Sequence, residues 1–426
     1  MIIPKFSQIK VKDYFPESKV LSNGIKVYSF NNPEMDVVFM KIIFDNAGTI
    51  SQDKFFTASL TKTQLNQGTK DFSAQELADE IDFYGLNYLP STSNERTSLG
   101  FSFLKQYQKD VLPLIEQMIK YPVFPENNLK VAINNARQEY LLKLQKTNFL
   151  AHKTFMQELF GKENPYGMYA RVEDYDNVKA DDLRDFYRKR YSCNQCYIML
   201  SGNVDEEFYS LLDKSLGQDF WNKTTADTTR QEINIDLTPK NKTIITPLDS
   251  AVQASIAMGR LMPKVAHEDF ISLSVLNCLF GGYFNSRLMS NIREEKGYTY
   301  GIDSVIAPFK YGSVMLIVSD VTADKDNATL DEIRKEMKRL REEKVSEDEL
   351  ATVKNYMIGD LLRATDGVQE ISENYEYFIR YNLPDTYNSY MLNKVQSTTA
   401  DDIIELANKY FKEDEFLISI SKNNNK

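Results

Sequence analysis

The chain has 426 residues, of which 42% are hydrophobic and 26% charged, a composition typical of a globular protein with room for two domains. Its formal net charge of −10 argues against a nucleic-acid partner, because phosphate binding requires clustered Lys and Arg. We find no signal-peptide core and no bilayer-spanning segment, so we expect no membrane partner and a cytoplasmic location, with the periplasm as the alternative. Three cysteines, Cys193, Cys196 and Cys278, are too few for a disulfide framework, and we interpret the single Cys-x-x-Cys pair as packing residues.

Amphipathic helices are predicted between residues 110 and 191. One begins at Asp110, and another begins near Pro125 with Leu129 on its apolar side. Residues 181–191 form a further helix with acidic residues at its start, and a strand-like run at 197–200 follows it. The first half therefore ends with helices followed by a closing strand.

A polar stretch separates the two halves. Residues 223–246 are rich in Thr, Asn, Asp and Lys, with alternating Ile233, Ile235 and Leu237, and we predict a linker there. Beyond it the predicted elements are a strand, an apolar helix, three amphipathic helices and a closing strand, at residues 252–258, 270–280, 330–340, 346–354, 401–411 and 416–420.

The second half repeats elements of the first. Leu350 follows an acidic helix start as Leu129 does, at an offset of 221 residues, and the helix at 401–411 matches the one at 181–191 at an offset of 220. We therefore predict an α+β fold of two homologous lobes, each an antiparallel sheet packed with long helices, forming a clamshell. The predicted lobes are residues 1–222 and 247–426, joined by the linker at 223–246.

The second lobe contains the strongest candidate for a binding site. Gly281 and Gly282 follow the apolar helix, where we expect glycine to adopt the left-handed conformation that ends helices. Arg293, Tyr298 and Tyr300 come next and supply a cation and two hydroxyls. Such groups can hold the carbonyl oxygens of an extended peptide.

These motifs resemble the pitrilysin/insulinase family of zinc peptidases, and the resemblance extends over nearly the whole chain. Its pieces are Gly24 in the first strand region, Gly68-Thr69, Asn164-Pro165-Tyr166-Gly167, Gly202-Asn203-Val204, and the block from Gly281-Gly282 through Ser286-Arg287-Leu288 and Arg293 to Gly297 and Tyr300. The resemblance implies that Arg293 and Tyr300 contact the substrate backbone near the scissile bond, within a substrate-binding motif that includes Gly281 and Gly282.

The zinc motif of that family, His-x-x-Glu-His, is missing. In its expected place just before Gly68-Thr69, Ser59 and Thr63 occupy the positions of the two imidazole ligands, and Lys62 occupies that of the general base. Neither hydroxyls nor an ammonium can hold zinc or accept a proton from metal-bound water. Glu139 falls where the third ligand is expected, and we interpret it as a remnant. We therefore expect no metal bound by this chain and assign no catalytic residue.

Two functional hypotheses follow from the resemblance. In the first, the chain is the non-catalytic, substrate-binding subunit of a two-chain zinc peptidase acting on unfolded peptides, and it supplies Arg293 and Tyr300 to the zinc site of a homologous partner that carries His-x-x-Glu-His. Some family members divide the site between subunits in this way, as in mitochondrial processing peptidase. In the alternative, the chain is a peptide-binding or scaffold protein with no proteolytic role. Both hypotheses leave homodimerisation open.

Overall fold

The computed structural model describes residues 9–222, 233–236, 238 and 240–423. Leu237 and the stretch 223–232 of the predicted linker lie outside the described residues. Within the described ranges the chain forms two β-sheets, each packed with helices, in the α+β arrangement of two lobes that the sequence predicts.

The first lobe is built on a six-stranded sheet in the order β1-β2-β6-β3-β5-β4, counted over the described residues. Its strands are β1 (Glu17–Val20), β2 (Lys26–Asn31), β3 (Val37–Phe44), β4 (Asn87–Thr92), β5 (Thr97–Leu104) and β6 (Cys196–Gly202). The β3 sequence is rich in β-branched and aromatic residues, which favour strands. Alternate β3 residues Val38, Met40 and Ile42 are almost completely buried, so one face of the sheet forms the core of this lobe.

Seven helices in the described residues belong to the first half of the chain. They are α1 (Thr57–Gln64), α2 (Ala74–Phe83), α3 (Gln108–Lys120), α4 (Glu126–Lys143), α5 (Thr147–Phe160), α6 (Ala180–Arg190) and α7 (Glu206–Leu212). The start of α2 shows how local sequence fixes a helix boundary: Ser73 Oγ accepts from the Glu76 backbone N–H, and the Glu76 carboxylate accepts from the Ser73 backbone N–H.

The second lobe is built on a five-stranded sheet in the order β7-β11-β8-β10-β9, again within the described part of the chain. Its strands are β7 (Lys242–Pro247), β8 (Gln253–Met262), β9 (Thr299–Phe309), β10 (Gly312–Thr322) and β11 (Leu417–Lys422). β7 begins inside the range 223–246 that was predicted as linker, because its backbone pairs with β11 along its whole length.

Six further helices in the described residues belong to the second half. They are α8 (Phe270–Asn277), α9 (Asp326–Glu342), α10 (Glu347–Arg363), α11 (Val368–Tyr381), α12 (Tyr387–Ser397) and α13 (Ala400–Tyr410). None of the helices in the described ranges is both long and apolar enough to cross a bilayer.

The two halves share one order of sheet strands, which confirms the predicted repeat. Leu129 on α4 and Leu350 on α10 are both buried, and α6 and α13 occupy the predicted positions. Strands β2, β6, β3, β5 and β4 correspond in order to β7, β11, β8, β10 and β9. The sheets differ from the prediction in one respect: each contains one parallel pair, β2 with β6 and β7 with β11. The closing strand of the first half, β6, lies between β2 and β3, and that of the second half, β11, lies between β7 and β8, which makes both sheets mixed.

One helix of each half packs on the sheet of the other half. α5 lies against β8 and β11, where Phe155 is fully buried with Ala257 and Leu417. In return, α11 lies against β2 and β6, where Tyr375 packs on Phe30 with ring centroids 5.6 Å apart. Each packed lobe therefore contains one helix that belongs, along the chain, to the other half.

Buried ion pairs accompany the contact of α11 with the first lobe. Glu376 on α11 has 8% of its side chain exposed and accepts from Lys41 Nζ at 2.5 Å and from Arg96 Nη2 at 2.7 Å. Glu95, which is also buried, accepts from the Lys310 backbone N–H at 2.6 Å. These contacts join residues of both halves and hold the lobes in one relative orientation.

Candidate functional site

Arg293 and Tyr300 line the same cavity, which has a volume of 370 Å³ and lies in the second lobe. The other lining residues come from β8, β9, β10 and the turn before β9: Gln253, Gly297, Tyr298, Thr299, Asp320 and Thr322. The sequence analysis did not identify Gln253, Asp320 or Thr322, because no local pattern connects residues on separate strands with the motif.

A π-helical turn and a glycine determine where these two side chains lie. Arg293 belongs to the turn Met289–Glu295, and π-helical turns are rare and often occur at functional sites. Gly297 has a φ of 64°, a left-handed conformation that glycine adopts without strain. The Tyr298 backbone N–H then donates to the Ile292 carbonyl oxygen at 3.0 Å. The chain reverses at this point and enters β9 next to Arg293.

The pairing of β9 with β10 is irregular beside the cavity. The register shifts between Ser319 and Val321, so Asp320 lies at a bulge. Bulges are common next to functional sites, where they redirect side chains. The Thr299 hydroxyl donates to the Asp320 carbonyl oxygen at 2.7 Å, and the Ser319 hydroxyl donates to Thr299 Oγ1 at 3.0 Å. Side-chain hydrogen bonds thus hold the backbone where the regular ladder is interrupted.

Arg293 and Tyr300 are both accessible to a ligand. The guanidinium of Arg293 lies 4.7 Å from the centroid of the Phe284 ring, and within the described residues its one carboxylate contact is Glu294 at 3.8 Å. Tyr300 is 93% exposed. A guanidinium offers five N–H donors and a phenol both donates and accepts, so the pair can bind carbonyl oxygens and N–H groups of an extended peptide.

Gly281 and Gly282 do not have the conformation that the sequence predicts. Both lie in the π-helical turn Cys278–Gly282 that extends α8, and neither has a positive φ. A Cβ atom on Gly281 would lie 2.7 Å from the Ser304 Cβ on β9, so glycine is required by the close packing of this turn on the strand. Neither glycine lines the cavity of Arg293 and Tyr300.

Ser59, Lys62, Thr63 and Glu139 line a second cavity, of 740 Å³, in the first lobe. α1 carries the first three residues and α4 carries Glu139. The positions that correspond to the zinc motif and to the third zinc ligand are therefore neighbours in the fold, although α2 and α3 separate them along the chain.

The side chains at these positions do not fit zinc. The hydroxyl of Ser59 donates to the carbonyl oxygen of Phe56, just before α1, and that of Thr63 donates to the carbonyl oxygen of Leu60. Glu139 is paired with Lys143 at 2.6 Å. Lys62 would place a positive charge next to a dication. In the described part of the chain no group of three or more His, Cys, Asp or Glu residues is arranged to hold a metal ion. No step of a reaction can be assigned to a zinc ion in this chain.

Aromatic side chains form much of the wall of this second cavity, and the sequence analysis did not single them out. They are Phe55, Phe56, Tyr140, Phe149, Tyr169 and Tyr175. Phe56 stacks on Tyr175 with ring centroids 3.6 Å apart and an interplanar angle of 13°. These residues come from separate helices and loops, so only the fold brings them together.

His152 and the cysteines Cys193 and Cys196 have packing contacts. His152 Nδ1 lies 3.2 Å from the Tyr169 hydroxyl, and burial lowers the pKa of His152. Cys193 is buried, and Cys196 Sγ lies 3.7 Å from the Cys193 carbonyl oxygen. Burial also raises the pKa of the Cys196 thiol, which disfavours the thiolate that metal binding and redox chemistry require.

Comparison with known proteins identifies one peptidase family. Residues 57–163 match the family described as insulinase (peptidase family M16), and residues 177–357 match the peptidase M16 inactive domain. The chain is 24% identical over 99% of its length to a Helicobacter pylori protein named non-peptidase homolog YmxG, 94% of which is covered. It is 23% identical over 95% of its length to a Bacillus subtilis protein named uncharacterized zinc protease YmxG, 97% of which is covered.

The fold is also similar to a solved structure of this kind. The crystal structure of a peptidase M16 inactive domain from Pseudomonas fluorescens superposes with a TM-score of 0.84 at 21% identity, covering 96% of this chain and 98% of that one. The first family match includes Ser59, Lys62, Thr63 and Glu139, and the second includes Arg293 and Tyr300. The chain belongs to the insulinase peptidase family M16, as a member in which the zinc motif is replaced by side chains that cannot bind the metal.

Proposed function

We propose that this chain is the non-catalytic, substrate-binding subunit of a two-chain cytoplasmic zinc peptidase that acts on unfolded peptides. In this proposal Arg293 and Tyr300 bind the substrate backbone beside a zinc ion held by a homologous subunit with an intact His-x-x-Glu-His motif. The observation that carries the proposal is the pairing of two facts: the zinc position has lost its ligands, while Arg293 and Tyr300 share an open cavity.

The surroundings of the two residues favour a binding role over a structural one. A tyrosine that is 93% exposed contributes little to the core, and its hydroxyl is open to a second molecule. Arg293 has a single distant carboxylate neighbour in the described ranges, so its donors are available to a substrate carbonyl. Both residues lie next to the exposed edge strand β9, where a partner subunit or an extended peptide can approach.

The test is to measure zinc content and cleavage of an unstructured peptide by the purified chain, alone and mixed with any co-encoded homologue that carries the His-x-x-Glu-His motif. We expect cleavage only in the mixture. We expect Arg293→Ala and Tyr300→Phe each to lower kcat/KM by roughly 10- to 100-fold, the range for losing one hydrogen bond to a charged or strongly polarised group.

Lys296→Ala is the matched control, because Lys296 is an exposed cation close to Arg293 that does not line the cavity. It should leave both complex formation and cleavage unchanged. The proposal would be contradicted if the two chains form no complex, or if the mixture with Arg293→Ala cleaves the peptide as fast as the mixture with the wild type. That result would favour the alternative of a peptide-binding or scaffold protein without a proteolytic role.

A further inference from the structure

The cavity at the position expected for the family's zinc motif is a formed pocket in its own right. Its volume of 740 Å³ lies within the range of roughly 300–1,000 Å³ that is usual for small-ligand sites. α1 and α4 form two of its walls, and the segments that contain Thr49, Thr92 and Tyr169 complete it. Its interior combines one unpaired cation with aromatic surfaces, and each feature restricts what the pocket can bind.

Lys62 is the unpaired cation. Its Nζ donates to the Pro90 carbonyl oxygen at 3.3 Å, which uses one of its three donors. Among the described residues no carboxylate lies within 4.0 Å of this ammonium, in contrast to Lys41 on the neighbouring sheet, which is paired with Glu376. Burial lowers the pKa of Lys62, as expected for a cation that has lost part of its hydration without gaining a counter-ion. An anion in the cavity would supply that counter-ion.

The other charges around the cavity largely cancel. Glu139 and Lys143 line it as an ion pair, with Glu139 Oε1 2.6 Å from Lys143 Nζ, and both side chains are about half exposed or more. The remaining polar lining residues are neutral: Thr49, Gln52, Ser59, Thr63, Thr92 and Asn135. The net charge presented to a ligand is therefore the single positive charge of Lys62.

The aromatic wall is fixed by hydrogen bonds at the far ends of its rings. The hydroxyls of Tyr140 and Tyr175 donate to the carbonyl oxygens of Ala170 and Ala136 at 2.6 and 3.0 Å. With their hydroxyls engaged, these rings offer apolar surface to the cavity and little hydrogen bonding. Phe56 stacks on Tyr175 although it has a φ of 67°, a conformation that is unfavourable for a phenylalanine and that tends to occur at functional sites.

We propose that this cavity binds a carboxylate carried on an apolar or aromatic group, with the free carboxyl-terminal residue of a peptide as the ligand. The carboxylate pairs with Lys62, and the terminal side chain packs against the aromatic wall. The pocket at the position of the family's zinc motif thereby binds an anion. The inference does not depend on a partner peptidase, because every contact it uses lies within this chain.

The first experiment measures binding of N-acetyl-Ala-Ala-Phe with a free carboxylate and of the same peptide as its carboxyl-terminal amide, by calorimetry on the full-length protein. We expect the acid to bind at least tenfold more tightly than the amide, because only the acid has the charge that complements Lys62. Equal affinities, or no binding of the acid, would overturn the proposal. 3-Phenylpropanoate distinguishes the two sources of the carboxylate: weaker binding than the peptide supports a peptide terminus, and tighter binding overturns that assignment in favour of a small carboxylate.

Variants then locate the site. Lys62→Met keeps the length and apolar stem of the side chain and removes the charge, and we expect it to abolish the difference between acid and amide. Lys62→Arg should restore most of that difference. Lys70→Met, which removes an exposed lysine outside the cavity, should bind the acid like the wild type. If Lys62→Met still prefers the acid tenfold, or if Lys70→Met loses the preference, the proposal is wrong.

Discussion

Lys62 shows how a single side chain changes the chemistry of a position in the fold. The resemblance to the zinc peptidases places Lys62 where the carboxylate of the general base is expected, and this chain has a partly buried ammonium there. Buried cations without a counter-ion reduce the stability of the folded state, because the lost hydration is not replaced. The free protein should therefore be less stable than a variant without this charge.

We predict that Lys62→Met raises the free energy of unfolding at neutral pH, by no more than about 1 kcal/mol because Lys62 keeps part of its hydration. The pKa of Lys62 is lowered from 10.5 in the folded state, so between the lowered pKa and 10.5 the unfolded state binds more protons. The destabilising effect of Lys62 is complete below the lowered pKa and disappears as the pH rises towards 10.5. Urea unfolding of both proteins at several pH values measures this, and an advantage of the Met variant that grows with pH would contradict it.

At the scale of elements, the main feature is that the two lobes exchange one helix each: α5 packs on the second sheet and α11 packs on the first. Each helix occupies the corresponding place in its half, yet each covers the sheet of the other half. The apolar face of α5 fits this arrangement: Ala151, Phe155 and Leu159 follow one another at helical spacing and are all buried in the cluster that contains Leu417 of β11. The stability of the second sheet therefore depends on a helix from the first half.

We predict that Phe155→Ala lowers the free energy of unfolding by about 3–5 kcal/mol, the range for truncating a fully buried phenylalanine. Hydrogen exchange should show the loss of protection in β8 and β11 more strongly than in β3 and β5. Phe83→Ala is the matched control, because Phe83 is 78% exposed and its removal should change stability by less than about 0.5 kcal/mol. Loss of protection confined to the first sheet would show that α5 stabilises its own lobe instead.

At the scale of the whole molecule, the exchange and the buried ion pairs make the two lobes one unit. Glu376 is held by Lys41 and Arg96 from the first lobe, and removing both partners would leave a buried charge unpaired. An opening movement between the lobes would have to separate α5 and α11 from their sheets and break these pairs. Movements that admit a substrate are therefore expected between this chain and another molecule.

We predict that cleavage at a protease site inserted between residues 223 and 232 leaves the two halves associated. The exchanged helices hold them together without the covalent link, so the cut protein should elute from a size-exclusion column like the intact one. Expressed separately, residues 1–222 and 233–426 should each expose the apolar surface that the missing helix covers, and they should aggregate. Separation of the cut halves in native buffer would show that the lobes are independent domains.

The local sequence determined a large part of this fold and of its candidate sites. Hydrophobic periodicity and helix-start residues placed α4, α6, α10 and α13, because these signals act within a few residues of chain. The repeat offset predicted two homologous lobes, and the family resemblance implied that Arg293 and Tyr300 lie at one binding site. The absence of imidazoles before Gly68-Thr69 was visible in the residues themselves.

The tertiary structure decided what depends on contacts between distant segments. The exchange of α5 and α11 could not be predicted, since an apolar helix face looks the same whichever sheet it covers. Gly281 was expected to end a helix, and its need for glycine comes instead from Ser304 on another element. The aromatic cavity around Lys62 is assembled from segments between Thr49 and Tyr175, which no local pattern connects. Packing is set by complementary surfaces that meet only after folding, and for that reason the sequence alone specified several of the elements but not these contacts.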